Sequence, residues 1–330
     1  MKILLYGAGV IGSVYAARLK DSGQDVSILA RGDRLAAIKE HGIVLEDVQS
    51  GRRTETSLNV VERLSPDDSY DLVVVCVGKD QLASVLPALG ENHRVPNILF
   101  MLNSAEGLEK LFWPVGKERV LGGFPGAGGE LNQGTVKYLM IGQQPTVLGE
   151  PTGIKTPRLQ EIENAFKKAG FPVSITNNID AWLKTHVMFI TCVESAIHLS
   201  GDDNQKLAQS PGSLIEMVDG VREGFRVLQA LKTPVTPLKL KIMFMWMPKG
   251  YPIGYWRGQL QGKLGEHSLA PHTRASIGEV RELVEEVREL VRSTSVPTPA
   301  MTRLYRWVDS GPSPDARKPG EAVYASTPLA

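Results

Sequence analysis

Residues 1–34 read MKILLYGAGVIGSVYAARLKDSGQDVSILARGDR. An apolar run from Lys2 to Tyr6 ends in Gly7, Gly9 and Gly12, which open an amphipathic stretch closing near Gly23, before a second β-branched run from Asp25 to Leu29. Strand, tight turn, helix and second strand in this order form the dinucleotide-binding fingerprint. The first glycine permits the turn, the second lets a pyrophosphate approach the backbone, and the third lets helix and strand pack closely. The unpaired N–H groups and positive dipole end of the helix then favour phosphate, so Gly7, Ala8, Gly9, Val10, Ile11 and Gly12 are the expected cofactor-binding turn. At the end of the second strand, where an acidic side chain would accept bonds from the ribose hydroxyls of NAD, Arg31 stands instead, with Arg34 after it. A guanidinium suits a 2′-phosphate, so NADP(H) is the expected cofactor; the competing reading makes Arg31 a surface residue and gives the ribose to Asp33.

Outward from this motif, short β-branched runs alternate with amphipathic stretches as far as about Val173, the pattern of βαβ units and a largely parallel sheet. Candidate strands are Lys2 to Tyr6, Asp25 to Leu29, Leu72 to Val77 and Ile98 to Met101, with added antiparallel or mixed strands between Gly122 and Gly149. The glycine-rich stretch Phe124 to Gly129 lacks a following Walker lysine and is expected to be a turn near the nicotinamide end of the cleft, or a purely structural one. After Asn177 helical periods take over, at Ile179 to Leu199, Ser213 to Leu231 and Ile277 to Val291. The expected fold class is α/β: an N-terminal Rossmann doubly wound sheet over 1–176, an all-helical domain over 177–308, and a tail over 309–330 too polar to pack.

Composition narrows the partners. The 37 basic and 36 acidic residues nearly cancel and form no long block of one sign, which argues against nucleic acid and for a small molecule. Cys76 and Cys192 each lie in an apolar stretch, which fits a reducing compartment rather than a disulfide framework. The N-terminal apolar run is too short for a signal peptide or a membrane span, and prolines and glycines break the aromatic segment 244–256, so no membrane partner and a cytoplasmic address are expected. That aromatic segment could form a substrate lid, a subunit contact or core.

The segment AWLKTHVMFITCVESAIHLS, 181–200, carries few charges and as a helix must be mostly buried, yet Lys184 sits in it. At helical spacing Lys184 shares a face with Met188, Thr191 and Ser195, and no carboxylate one turn away is expected to neutralise it. A partly desolvated ammonium there could donate a proton to an oxygen gaining charge during hydride transfer; the competing reading is a snorkelling or helix-end lysine. His186, His198, His267 and His272 do not converge at metal-ligand spacing, so no metal is expected. Cys192 is read as core rather than as a reactive thiol.

Together GAGVIG, the strand-end ARG with Arg31, VCVGKDQL with Gln81, LFMLNSAEG with Asn103, WLKT with Lys184 and SVPTP near Thr298 resemble the ketopantoate reductase family, over nearly the whole chain to about Val308. The resemblance implies a Rossmann domain, a helical domain like that of 6-phosphogluconate dehydrogenases, an active site between them and NADPH as hydride donor. It places the catalytic lysine on Lys184 and the nicotinamide-side asparagine on Asn103. Gln81 falls near the cofactor, and Glu279, or else Glu282, on the acidic residue at the substrate hydroxyl. Helical domains of this type often pair, so a homodimer is possible. The chain departs from the family where asparagines usually follow the lysine by one and two turns: Met188 and Cys192 stand there. The substrate-carboxylate serine has only His267 and Ser268 as nearest candidates, and Gly78 replaces a lysine. A less polar or bulkier carbonyl than ketopantoate is therefore expected to meet Met188, Thr191, Cys192 and Ser195. Rival functions are a nucleotide sensor without catalysis and a related hydroxy-acid or amino-acid dehydrogenase.

Overall fold

The computed structural model describes residues 1–310. Its strands are β1 (Lys2–Tyr6), β2 (Asp25–Leu29), β3 (Ile43–Asp47), β4 (Arg53–Thr56), β5 (Asn59–Val61), β6 (Leu72–Val75), β7 (Ile98–Met101), β8 (Val120–Phe124), β9 (Ala127–Asn132), β10 (Thr135–Met140), β11 (Thr146–Gly149) and β12 (Val173–Ile175). Helices α1 (Val10–Asp21), α2 (Gly32–His41), α3 (Lys79–Glu91), α4 (Phe112–Val115) and α5 (Pro157–Lys168) are interleaved with them. Eight strands form one sheet in the order β12-β11-β8-β7-β6-β1-β2-β5. From β8 to β5 every pairing is parallel, and only β11 runs antiparallel to its neighbour β8. Strand order reverses between β1 and β6. In such sheets ligands sit at that switch point, outside the carboxyl ends of the strands.

The β-branched run Leu72–Val75 is buried on both faces, as a central parallel strand requires. Helices α1 and α5 cover one face of the sheet through Val14, Tyr15, Leu159 and Phe166. On the other face lie Leu82, Val85 and Leu89 of α3. A second sheet, β4-β3-β10-β9, packs against the α1 side. The mixed strands expected between Gly122 and Gly149 are present, but β9 and β10 leave the main sheet, pairing with each other and, through β10, with β3.

From Ile179 to Ser310 the chain is helical: α6 (Ile179–Leu199), α7 (Asn204–Gln209), α8 (Pro211–Ala230), α9 (Leu238–Lys241), α10 (Gly250–Gln261), α11 (Ala270–Ala275), α12 (Ile277–Arg292) and α13 (Pro299–Tyr305), with π turns at Ile242–Trp246 and Gly265–Leu269. Helix α6 starts where the Asn178 side chain accepts the Ala181 N–H, a cap that satisfies one orphan donor of the first turn. Its first turn belongs to the sheet, since Ile179, Trp182 and Leu183 join the α3-side core. The rest anchors a separate helical core with α8, α12 and α13. One helix thus ties the halves together. No helix among the described residues is long and apolar enough to cross a membrane. Of the tail expected to pack loosely, Asp309 pairs with Arg288 at 2.7 Å and residues 311–330 lie outside the described residues.

Candidate active site

The carboxyl ends of β1, β6, β7 and β8 open into a cleft of about 900 Å³, closed on the far side by α6, α9, α10, α11 and α12. The volume falls within the range of small-molecule sites, about 300–1,000 Å³. At the glycine turn the wall is backbone. Gly7 holds φ +114°, a conformation that strains any L side chain, and a Cβ on Gly12 would stand 1.8 Å from the Gly7 carbonyl oxygen. Gly9, the N-cap of α1, faces open space: a Cβ there would meet nothing within 4 Å. Gly9, Val10 and Ile11 line the cleft, so the turn leaves room for a group approaching the helix N-terminus.

Arg31 follows β2 and is exposed, its guanidinium beside Tyr6. Arg34, by contrast, is spent on the turn itself. It donates to the Ala8 carbonyl at 3.1 Å, the Gly134 carbonyl at 3.0 Å and Ser13 Oγ at 2.9 Å, and so is not the second phosphate ligand that its position suggests. Gln81 sits exposed on the first turn of α3, outside the cleft lining, because α3 begins at the very end of the β6 crossover and turns that position to solvent.

Asn103, two residues beyond β7, is buried in the cleft wall and donates Nδ2–H to Glu279 Oε1 at 3.1 Å. Its Oδ1 is buried with no partner, a cost that an N–H or O–H from a bound molecule would remove. Glu279 of α12 lines the cleft, whereas Glu282 is exposed. Burial pushes the Glu279 carboxyl above the ordinary carboxylate range, against the pull of His272 and Asn103. A Cβ on Gly78 would lie 3.3 Å from Glu279 Oε2, so the glycine that replaces a family lysine leaves room for this carboxylate.

Lys184 is not in the cleft. Its Nζ pairs with Asp180 Oδ2 at 2.6 Å, one turn back, and its side chain, 19% exposed, is not among the lining residues. The expectation that no carboxylate one turn away neutralises it is therefore wrong, and so is the assignment of its face to the cleft. Met188, Thr191, Cys192 and Ser195 are completely buried against the helical core. Met188 fills a notch at Gly224 of α8 and Cys192 one at Gly220. Thr191 is hydrogen-bonded to the Val187 carbonyl and to the Tyr305 hydroxyl, both at 2.7 Å. None of the four lines the cleft. The physical reason is that α6 is buried all round, so that apolar periodicity could not say which face meets a cavity.

The face that does meet it carries Trp182, His186, Phe189, Ile190 and Glu194, at i, i+4, i+7, i+8 and i+12. His186 stacks on Trp182, ring centroids 5.3 Å apart at 6°, and burial beside His272 drives its pKa down to about 3. Glu194, 2% exposed, accepts from His272 Nδ1 at 2.8 Å, while its Oε2 has no partner. Burial pulls the His272 imidazolium down, but Glu194, by charge and hydrogen bond, and Glu279 overcome it and raise the pKa to about 9. His272 Nε2 stands 4.0 Å from Glu279 Oε2. A chain Asn103, Glu279, His272, Glu194 thus crosses the cleft floor from sheet to helices. Among the described residues no group of three His, Cys, Asp or Glu side chains is arranged to hold a metal.

Ser268, on the π turn before α11, lines the cleft against Gly128; His267, its sequence neighbour, does not. Phe124, Pro125, Ala127, Gly128 and Gly129 form part of the wall, so the β8–β9 turn does reach the cleft. The aromatic segment 244–256 divides: Phe244 is core, Tyr255 and Trp256 line the cleft, and Trp246 is 64% exposed.

The parallel strand order, the glycine turn at the switch point and a helical half closing the cleft define a two-part dinucleotide-binding oxidoreductase fold. Residues 3–153 match the family model described as ketopantoate reductase PanE/ApbA. A 2-dehydropantoate 2-reductase of Mesorhizobium japonicum is 26% identical over 93% of this chain and 97% of its own length. One of Pyrococcus horikoshii is 26% identical over 73% of this chain and 79% of its own. Among solved structures, D-mandelate dehydrogenase with NADH and anilino(oxo)acetate superposes with a TM-score of 0.76 at 18% identity, covering 94% of this chain and 97% of that one. A PanE/ApbA family ketopantoate reductase from Ralstonia eutropha JMP134 gives 0.74 at 19%, covering 94% and 98%. The fold expected from the sequence is the fold observed.

Proposed function

We propose that the protein is an NADP(H)-dependent reductase that transfers hydride to the carbonyl of a small molecule whose substituent is bulkier and less polar than that of ketopantoate. One observation carries the reading: a single cleft joins the open glycine turn at Gly9 to the polar pair Asn103–Glu279 and then to an apolar wall of Trp182, Phe189, Tyr255 and Trp256. In this reading residues 1–176 hold the dinucleotide and 177–308 complete the substrate side. Gly9, Val10 and Ile11 would hold the pyrophosphate, and the exposed Arg31 would meet a 2′-phosphate by charge and by its planar fork. When bound, the reduced nicotinamide supplies the hydride.

The chain's own residues do the rest. Asn103 Oδ1, buried and unpaired, awaits a donor, and Glu279, held by Asn103, accepts from a product hydroxyl. The aromatic wall excludes water from an apolar substituent. Preference for a bulky carbonyl thus rests on this wall rather than on Met188 and Cys192, which are core. The structurally similar D-mandelate dehydrogenase, solved with anilino(oxo)acetate, an oxamate bearing an aromatic ring, gives the same direction. Purified protein should oxidise NADPH with aromatic or branched 2-oxo acids or ketones faster than with ketopantoate. Faster turnover of ketopantoate would contradict the substrate class, and no NADPH binding would contradict the reading as a whole.

A further inference from the structure

Three polar side chains that no family lysine accounts for meet at the cleft: His272 of α11, Glu194 of α6 and Glu279 of α12. We propose that His272, with its Nδ1–H held by Glu194, is the catalytic acid of the reduction, in the role that the resemblance gives to Lys184; this inference rests on the reductase reading above. Geometry carries it. His272 lines the cleft and its side chain is 41% exposed, while Lys184 is tied to Asp180 and does not line it. The Glu194 contact fixes ring orientation and leaves the Nε2–H end directed at the 4.0 Å gap before Glu279, where a substrate oxygen would contact both groups. A carboxylate that orients an imidazole and stabilises its charged form is a recurrent device for moving protons at neutral pH.

The step balances. Hydride from the reduced nicotinamide forms the new C–H bond on the carbonyl carbon, and the C=O π pair moves onto oxygen. The Nε2–H bond breaks, its proton forms the hydroxyl, and neutral His272 regains a proton from solvent in the open cleft. The nicotinamide is oxidised and the carbonyl reduced.

The charged neighbours favour a protonated resting imidazole. Glu194 and Glu279 lie on two sides, Asp80 of α3 stands behind Glu279, and Glu130 of β9 lines the cleft opposite. Opposing cations are few: His186 is held neutral by burial, exposed Arg274 on the same helix binds the Asp202 carbonyl, and Lys239 binds the Gln143 carbonyl. Glu194 acts through His272 and is a positioning residue.

Two measurements test the proposal in the full-length chain. In the first, the His272 imidazole is titrated by NMR in wild type and Glu194→Gln. It should titrate near 9 in wild type and shift markedly downward in the variant. A wild-type value at or below 6.5 overturns the proposal without touching the reductase reading. The second compares His272→Asn, His272→Gln and Lys184→Met with NADPH and the best carbonyl substrate, with NADPH affinity followed by fluorescence. Both His272 variants should bind NADPH as wild type does and lose about 10²–10⁴-fold in kcat, while Lys184→Met keeps its kcat. Wild-type kcat should fall as pH rises through about 9, and Glu194→Gln should move that limb downward. Loss of kcat in Lys184→Met with retention in a His272 variant overturns the assignment. Failure of wild type to reduce any carbonyl while NADPH still binds removes the reductase reading, and the acid role with it.

Discussion

Around Gly9 the cleft wall is bare backbone, whereas around His272 it consists of side chains delivered by three separate helices. The first wall is specified locally: Gly7, Gly9 and Gly12 lie within six residues, Gly7 and Gly12 answering to steric demands of the turn and Gly9 leaving its outer side open. The second is specified only by tertiary packing, since Glu194, His272 and Glu279 are brought together by the way α6, α11 and α12 cross. The cofactor side of such an enzyme can therefore be recognised from one short motif and left nearly constant. In the reading proposed above, the acid moves from α6 to α11 within the same fold.

Five substitutions or conditions probe this difference, the most damaging first. Gly12→Ala should be the most damaging, because its Cβ would lie 1.8 Å from a backbone oxygen that cannot rotate away. A cost of at least about 1–3 kcal/mol and loss of dinucleotide binding are expected, in thermal unfolding and NADPH fluorescence. Gly9→Ala, with open space around its Cβ, should keep wild-type Tm but bind NADPH more weakly; unchanged binding would place the pyrophosphate elsewhere.

On the helical side, Met188→Asn restores a family residue at a position that packs on Gly224. It should destabilise by about 1–3 kcal/mol in urea unfolding and leave substrate preference unchanged. A shift toward ketopantoate would mean that this face does reach the substrate. Arg31→Ala comes next. Loss of a charge-assisted contact worth about 1.5–3 kcal/mol should weaken NADPH by about ten- to a hundredfold and NADH far less. Equal losses for the two would remove the 2′-phosphate role and favour the Asp33 reading.

The last probe is the dependence of stability on pH. His186 has its folded pKa depressed to about 3 from 6.5, so the unfolded chain takes up its proton first and stability falls as pH drops from 6.5 toward 3. His272 has its folded pKa raised to about 9, so its contribution is complete below 6.5 and is lost as pH rises through 9. His186→Phe should flatten the acid limb of a urea-denaturation series and leave the alkaline limb in place. An unchanged acid limb would show that His186 is not held neutral in the fold.

Most of the architecture was legible from residue pattern. The strands Lys2–Tyr6, Asp25–Leu29 and Ile98–Met101, and the helix Ile179–Leu199, fall where periodicity and turn residues put them. The second sheet was not, because β3 and β10 are far apart in the chain and their pairing has no local signature. At the site, Gly9, Asn103, Glu279 and Ser268 reach the cleft as expected. Lys184 does not, for a reason visible in hindsight: Asp180 precedes it by four residues, the spacing of a helical ion pair. The better signal in α6 was Glu194, an acid in an otherwise apolar turn, since a buried carboxylate requires a cationic or donor partner. The sequence could not say that the partner is His272, 78 residues on, because only the fold brings α11 against α6.

The central claim is that this cleft moves hydride from a bound nicotinamide to a carbonyl. NADPH carrying deuterium at both C4 positions, followed by mass spectrometry of the product, tests it most directly. The account predicts deuterium on the new carbinol carbon of the alcohol; NADPH oxidation with no label there would contradict it.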